Sequence, residues 1–227
     1  MLQQRFLGIP IGLLILFLAF AVLMLAVPQL DLDLSGLFYT PGAGFEIRDQ
    51  LWERVIYRSV SVLMVTVNLG LIALWLLNRR TGRGLLGFDG RKLAFLLCLL
   101  ALLPGLLVNQ VLKEHWGRAR PADVTEFGGQ SRFTPAFVHS DQEGGSFCSG
   151  HAAAAFYLVA VAATVFGTRS RWVALAVLYA LLVGFGRVAA GGHFISDVIT
   201  SGFLVLFGYL MLHRLFFGER HKTAAPS

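Results

Sequence analysis

The chain has 227 residues, 56% of them hydrophobic and 14% charged, with a formal net charge of +6 and a mean hydropathy of +0.68. Soluble domains run near a quarter charged, so this balance excludes a disordered chain and argues against an ordinary soluble enzyme. The apolar residues cluster in runs that approach or exceed the ~18–20 residues needed to cross a bilayer, which points to a multi-spanning helical membrane protein.

In chain order, residues 6–27 form the first apolar run. It is longer than a leader's usual apolar core and continues past the small-x-small triplet at Ala19–Ala21, so it reads as a span and not as a cleaved signal. Residues 59–77 and 93–112 are the second and third runs. The alanine-rich 151–167, then 172–190 and 198–217, complete six. The expected fold class is therefore all-α: one polytopic, six-helix transmembrane bundle, a single membrane-embedded domain over residues 1–227.

The loops set the expected orientation. One side collects eleven basic residues, among them Arg5, Arg79, Arg80, Arg91, Arg171 and Arg220, against two acids, Asp89 and Glu219. The other side holds eight basic and eleven acidic residues. The positive-inside rule places the first side, with both termini, in the cytoplasm. Trp75 and Trp172 fall at cytoplasmic span ends and Trp52 and Trp116 near the opposite face, as an aromatic belt requires. In a bacterium the opposite face is periplasmic and the membrane is the inner one. The 113–149 loop lies on that outer side. It is too long for a plain connection and mixes Gly, Pro, Phe and charge, so it is expected to form a partial lid and headgroup wall. Cys98 and Cys148 are too few for a disulfide framework and read as free thiols, Cys148 in a structural role.

Three clusters on the outer side carry candidate chemistry. Lys113, Arg118 and Arg120 follow the third run, on the face where basic residues are depleted, and guanidinium forks match phosphate oxygens. Ser149-Gly150-His151 precedes the fourth run, where a Ser N-cap and free first-turn amides suit an oxyanion and a histidine can move a proton beside it. Arg187, His193 and Asp197 precede the sixth run. His193 and Asp197 are four apart, so on a helix the carboxylate can fix the imidazole tautomer and free the other nitrogen to attack. His151, His193 and Asp197 could also be weighed as metal ligands, but the neighbouring arginines and lysine repel a cation.

Together, Lys113 with Arg120-Pro121, Ser149-Gly150-His151, and Arg187 with His193 and Asp197 resemble the three-part signature of the type-2 phosphatidic acid phosphatase superfamily. Cys148 stands where that pattern usually has Pro, and Gly186 where it usually has Ser; the first loses a rigid turn residue and the second a phosphate hydrogen bond. The resemblance implies a metal-independent phosphatase with no cofactor. His193 would be the nucleophile, Asp197 its orienting partner and His151 the acid and base. Lys113, Arg120, Ser149, Gly150 and Arg187 would bind the phosphoryl oxygens. His115 and Arg118 occupy variable positions of the signature, and Arg118 is kept as a candidate substrate contact. His139, His213, His221, Asp141 and Glu143 read as ordinary loop or interfacial groups.

Glu126-Phe127-Gly128-Gly129, Phe133-Thr134-Pro135 and Ser146-Phe147-Cys148 further resemble members that dephosphorylate lipid A. The implied partners are the bilayer and a membrane lipid phosphate, not nucleic acid, and nothing in the sequence sets an oligomeric state. Undecaprenyl pyrophosphate or phosphatidylglycerophosphate hydrolysis, and phosphotransfer between lipids, are the alternatives. A non-enzymatic lipid-phosphate binder would need the cations but not the two histidines.

Overall fold

The computed structural model describes residues 4–218; Glu219, Arg220, His221 and Lys222 lie outside the described residues. The structure is mostly helical. Helix α1, Ile11–Ala26, starts from a short hairpin of β1, Arg5–Phe6, and β2, Ile9–Pro10. At Val27-Pro28 the chain bends by 82° into α2, Gln29–Gly36. A second minimal hairpin pairs β3, Tyr39–Thr40, with β4, Gly44–Phe45. There follow α3, Leu51–Thr81, α4, Gly90–His115, α5, Gly150–Phe166, α6, Arg171–Ala189, and α7, Ile195–Phe217.

Four of these helices (α3, α4, α6 and α7) are long and apolar enough to cross a membrane, and five spans result if α1 and α2 count as one bent element. The alanine-rich α5 is apolar but has only 17 residues. The expected count of six is thus four or five by length and composition, because the helices formed in the first and fourth runs, α1 and α5, have only 16 and 17 residues. The all-α expectation is corrected only by the two hairpins.

Helix ends differ from the apolar runs where polar residues extend a helix. Helix α3 was expected over 59–77 but spans 31 residues, about 46 Å at 1.5 Å per residue, well beyond a ~30 Å apolar core. Its extra N-terminal turns carry Glu53 and Tyr57. Gly82, in the left-handed conformation, ends it. In α4, Pro104 cannot donate to its own ladder, and residues Ala101–Leu112 widen into a π-type helix in which the Asn109 side chain donates to the Pro104 carbonyl at 2.7 Å.

Helix α5 forms the centre and packs against α6 and α7. Its buried Ala152, Ala153, Ala155 and Ala160 let the neighbours approach closely. At Gly208 of α7 an added Cβ would stand 2.5 Å from the Leu103 side chain, so only glycine fits that crossing. Exposed leucines and valines line the outer faces of α1, α3 and α6, as lipid-facing surfaces require. The helix directions put one set of ends together: the end of α1–α2, the start of α3, the end of α4, the start of α5, the end of α6 and the start of α7.

The 113–149 loop is packed structure. Short 3-10 turns at Pro121–Asp123 and Thr125–Phe127 and a bridge between Val124 and Ser131 organise it. It buries Arg118, Val124, Ala136, Ser146, Phe147 and Cys148.

Candidate active site

Lys113 ends α4, and Arg120 sits in extended backbone just before the Pro121 turn. Ser149 is the N-cap of α5, its hydroxyl facing the Ala152 amide at 3.4 Å, and Gly150 and His151 form the first turn. Arg187 lies in the last turn of α6, His193 in the following turn and Asp197 in the first turn of α7.

Backbone contacts tie the three segments together. The Ala122 amide donates to the Gly191 carbonyl at 3.1 Å, and the Ser146 amide to Arg118 at 2.9 Å. The Ser201 hydroxyl donates to the Ser149 carbonyl at 3.0 Å. His193, Arg187, Lys113 and Arg120 are the charged groups close enough to act electrostatically on His151. The predicted set therefore converges at one end of the bundle.

His193 is 4% exposed, and its Nδ1 lies 2.8 Å from the Ser146 carbonyl. A carbonyl only accepts, so Nδ1 carries the proton and the Nε2 lone pair is free. Burial pushes this imidazole below the ordinary histidine range, against the pull of Asp197, which favours the neutral ring.

The direct His193–Asp197 hydrogen bond expected from the four-residue spacing is not made. Asp197 Oδ2 stands 3.8 Å from Nδ1 because it accepts instead from the Ser146 hydroxyl at 2.6 Å and the Phe194 amide at 2.9 Å. Ser146 links the two: its carbonyl accepts from His193 and its hydroxyl donates to Asp197.

Arg118, kept as a possible substrate contact, is fully buried. Its guanidinium donates to Asp197 at 2.5 Å, Asp31 at 2.7 Å, Ser196 at 2.9 Å and the Thr134 carbonyl at 2.9 Å. It also lies over the Phe194 ring at 4.3 Å. Burial works against its charge, and the Asp197 and Asp31 carboxylates more than offset this, holding the guanidinium above its ordinary value. Four of its five N–H donors are used and the group is sealed from solvent, so Arg118 is a buried brace beside His193.

Sequence reading missed several residues that shape the site. Asp31 on α2 accepts from Arg118 and from both the amide and hydroxyl of Ser196. Glu53, itself buried, accepts from Arg187 at 3.0 Å. Tyr57 stacks on His151 with ring centroids 4.1 Å apart, and Arg187 sits 4.8 Å from the Tyr57 centroid. One signal was available: Asp31 is an ionisable group set at the end of an apolar run, where such groups are costly.

Arg120 and Arg187 line a groove of about 370 Å³ that reaches Gly192 beside His193. The Arg187 guanidinium lies directly across Gly192, with Nη2 2.0 Å from where a Cβ would stand, so a side chain there would push the guanidinium aside. The Nε atoms of Arg120 and Arg187 are buried and find no protein partner. Larger cavities of about 610 and 530 Å³ lie away from these residues, at the Arg5–Arg214 end and in the apolar cleft between α5 and α7.

The remaining sequence-selected groups lie apart. Asp141 is exposed and pairs with Arg132, His139 flanks Trp116, and His213 sits among Phe95, Tyr209 and Phe217. Cys148 is buried and its thiol is pushed up to about 12 by burial, so it is no nucleophile. Among the described residues no group of three or more His, Cys, Asp or Glu is arranged to hold a metal ion.

Known proteins resemble the chain in sequence and in fold. It is 30% identical over 222 residues to the lipid A 4'-phosphatase of Francisella tularensis subsp. novicida, covering 92% of this chain and 96% of that one. It is also 30% identical over 218 residues to the lipid A 4'-phosphatase of Rhizobium leguminosarum, covering 87% and 91%. The crystal structure of a transmembrane PAP2-type phosphatidylglycerolphosphate phosphatase from Bacillus subtilis shares the fold with a TM-score of 0.56 at 22% identity, over 93% of this chain and 98% of that one. Residues 91–220 match the PAP2 superfamily model. This membrane protein belongs to the PAP2 superfamily and is a phosphatase acting on phosphate esters.

Proposed function

We propose that the protein hydrolyses a phosphate monoester of a membrane glycolipid of the lipid A class, without a metal, at the periplasmic face of a bacterial inner membrane. The observation that carries this reading is the pair of buried, unpartnered Nε donors on Arg120 and Arg187 in a groove that ends beside His193. Buried donors without partners are rare, and a phosphoryl group supplies the missing acceptors. The lipid is inferred from the lipid A 4'-phosphatases matched at 30% identity over most of both chains. The six-crossing topology is supported by the alternation of helix ends, which gathers every outer end around these residues.

In the reaction, His193 Nε2 attacks phosphorus and forms an N–P bond as the P–O ester bond breaks. His151 gives its proton to the leaving oxygen and then takes one from the water that attacks the phosphohistidine, releasing inorganic phosphate. Arg120, Arg187 and Lys113, with the Ser149 hydroxyl and the Gly150 amide, hold the equatorial oxygens, where a loose transition state gathers charge. Asp197 acts through Ser146, which holds the Nδ1 proton in place. The Tyr57 ring fixes the plane of His151.

The test is phosphate release by the detergent-purified protein from lipid A, undecaprenyl pyrophosphate, phosphatidylglycerophosphate and phosphatidic acid, each with EDTA and beside His193→Ala. EDTA-resistant release greatest on lipid A, absent in the variant, and a 32P-labelled, acid-labile histidine in quenched turnover are the expected results. Release that EDTA abolishes, or that survives His193→Ala, would overturn the mechanism.

A further inference from the structure

The groove extends beyond what one phosphoryl group needs. Besides Arg120, Arg187 and Gly192 it is lined by Arg48, Arg54 and Arg58. Arg54 and Arg58 are four apart on α3, so they share a face, and like charges at that spacing destabilise a bare helix. None of the three makes an ion pair with a carboxylate within 4.0 Å among the described residues, although Asp49 and Asp123 also border the groove. Glu53, which also lines the groove, is already taken by Arg187 at 3.0 Å. The Arg48 Nε donates to the Ala190 carbonyl at 3.2 Å, which ties it to the turn that carries His193 and leaves its terminal nitrogens unused.

Five guanidinium groups thus share about 370 Å³, within the ~300–1,000 Å³ range of ligand clefts, on the face that the charge balance makes least basic. The reacting phosphoryl accounts for Arg120 and Arg187. The other three repel one another until an anion binds, and planar forks of this kind suit phosphate oxygens.

We infer that Arg54 and Arg58, with Arg48, form a second anion subsite that holds a group of the same substrate other than the one that reacts. The inference rests on the phosphatase reading above and adds to it the residues that grip the substrate away from the reacting phosphoryl.

The experiment measures kcat and KM of the wild type and of Arg54→Gln/Arg58→Gln, in neutral detergent, on lipid A carrying two phosphates and on its one-phosphate form bearing only the scissile group. The expected result is a KM on the two-phosphate lipid raised about tenfold more than on the one-phosphate lipid, with kcat changed far less. Arg54→Lys/Arg58→Lys, which keeps the charge, should recover part of that loss. Equal changes on both lipids, or none, would overturn the inference while leaving the phosphatase reading intact. A parallel series with phosphatidylglycerol in the micelles separates the other source of the same chemistry. If the double variant loses activity only in those micelles, and equally on both lipids, the arginines bind a neighbouring headgroup and the inference fails. A wild type inactive on both lipids would instead remove the function itself.

Discussion

Two arginine sites flank His193, and they are built in opposite ways. Below His193, the single Arg118 is sealed between Asp31 and Asp197, with each of its three nitrogens donating. Above it, Arg120 and Arg187 face a groove with buried Nε atoms that no protein group satisfies. A satisfied cation holds parts in place, whereas an unsatisfied one is ready to bind. The same residue type two positions apart, Arg118 and Arg120, therefore does different work, and the partners around it decide which.

The largest effect should come from the atom between the two regions. His193→Ala is expected to lower turnover at least a thousandfold, as for other nucleophiles, with helix content by circular dichroism unchanged. Next, Arg118→Met should break the lower region. It leaves two buried carboxylates unpaired, a loss of about 3–5 kcal/mol, read as a sharp drop in the detergent unfolding midpoint along with activity. Arg120→Gln should do the reverse: a roughly hundredfold loss in kcat/KM with a melting temperature unchanged or slightly raised, since it removes a cation without protein partners. A comparable stability loss in both variants would erase the contrast.

Smaller effects concern the parts that aim the histidines. Tyr57→Ala is expected to lower kcat about tenfold with little change in KM, and Tyr57→Phe, which keeps the ring over His151, to restore most of it. If phenylalanine fails as alanine does, the stacking is not what matters. The smallest effect is the pH response of His193. Burial lowers its folded pKa below the ordinary value of about 6.5. Between these two values the unfolded chain binds more protons at this position than the folded one, so acidification through that window weakens the fold and raising the pH restores it. A wild type that loses more stability than His193→Gln from pH 7 to pH 5 would agree. A titration midpoint above 6.5 in histidine NMR spectra would not.

The motif residues were legible because each cluster is local: Ser149-Gly150-His151 opens one helix, and His193 and Asp197 lie four positions apart at the mouth of another, His193 in the turn before it. Their supports were not. Asp31 reaches Arg118 across 87 positions, Glu53 reaches Arg187 across 134, and Ser146 reaches His193 across 47. Periodicity carries no information over such separations. The assigned His193–Asp197 bond failed for a related reason: spacing shows which side chains share a face but not which competing donors, here Ser146 and Phe194, claim the carboxylate first. Hydropathy likewise marked the apolar middles of the helices, and so missed the polar turns of α3 that hold Glu53 and Tyr57, and the short helix α2 that follows Pro28.

The bend between α1 and α2 also fixes an order of assembly. It delivers Asp31, 1% exposed, to a place where its partners come from residues 118 and 196. As the chain is synthesised, this carboxylate emerges long before Arg118, its charge partner, and its remaining acceptor sites stay open until Ser196 arrives with the final helix. Chains halted before Ser196 should therefore keep the N-terminal third loosely inserted and open to protease. Completion of this buried network then coincides with the arrival of the last helix.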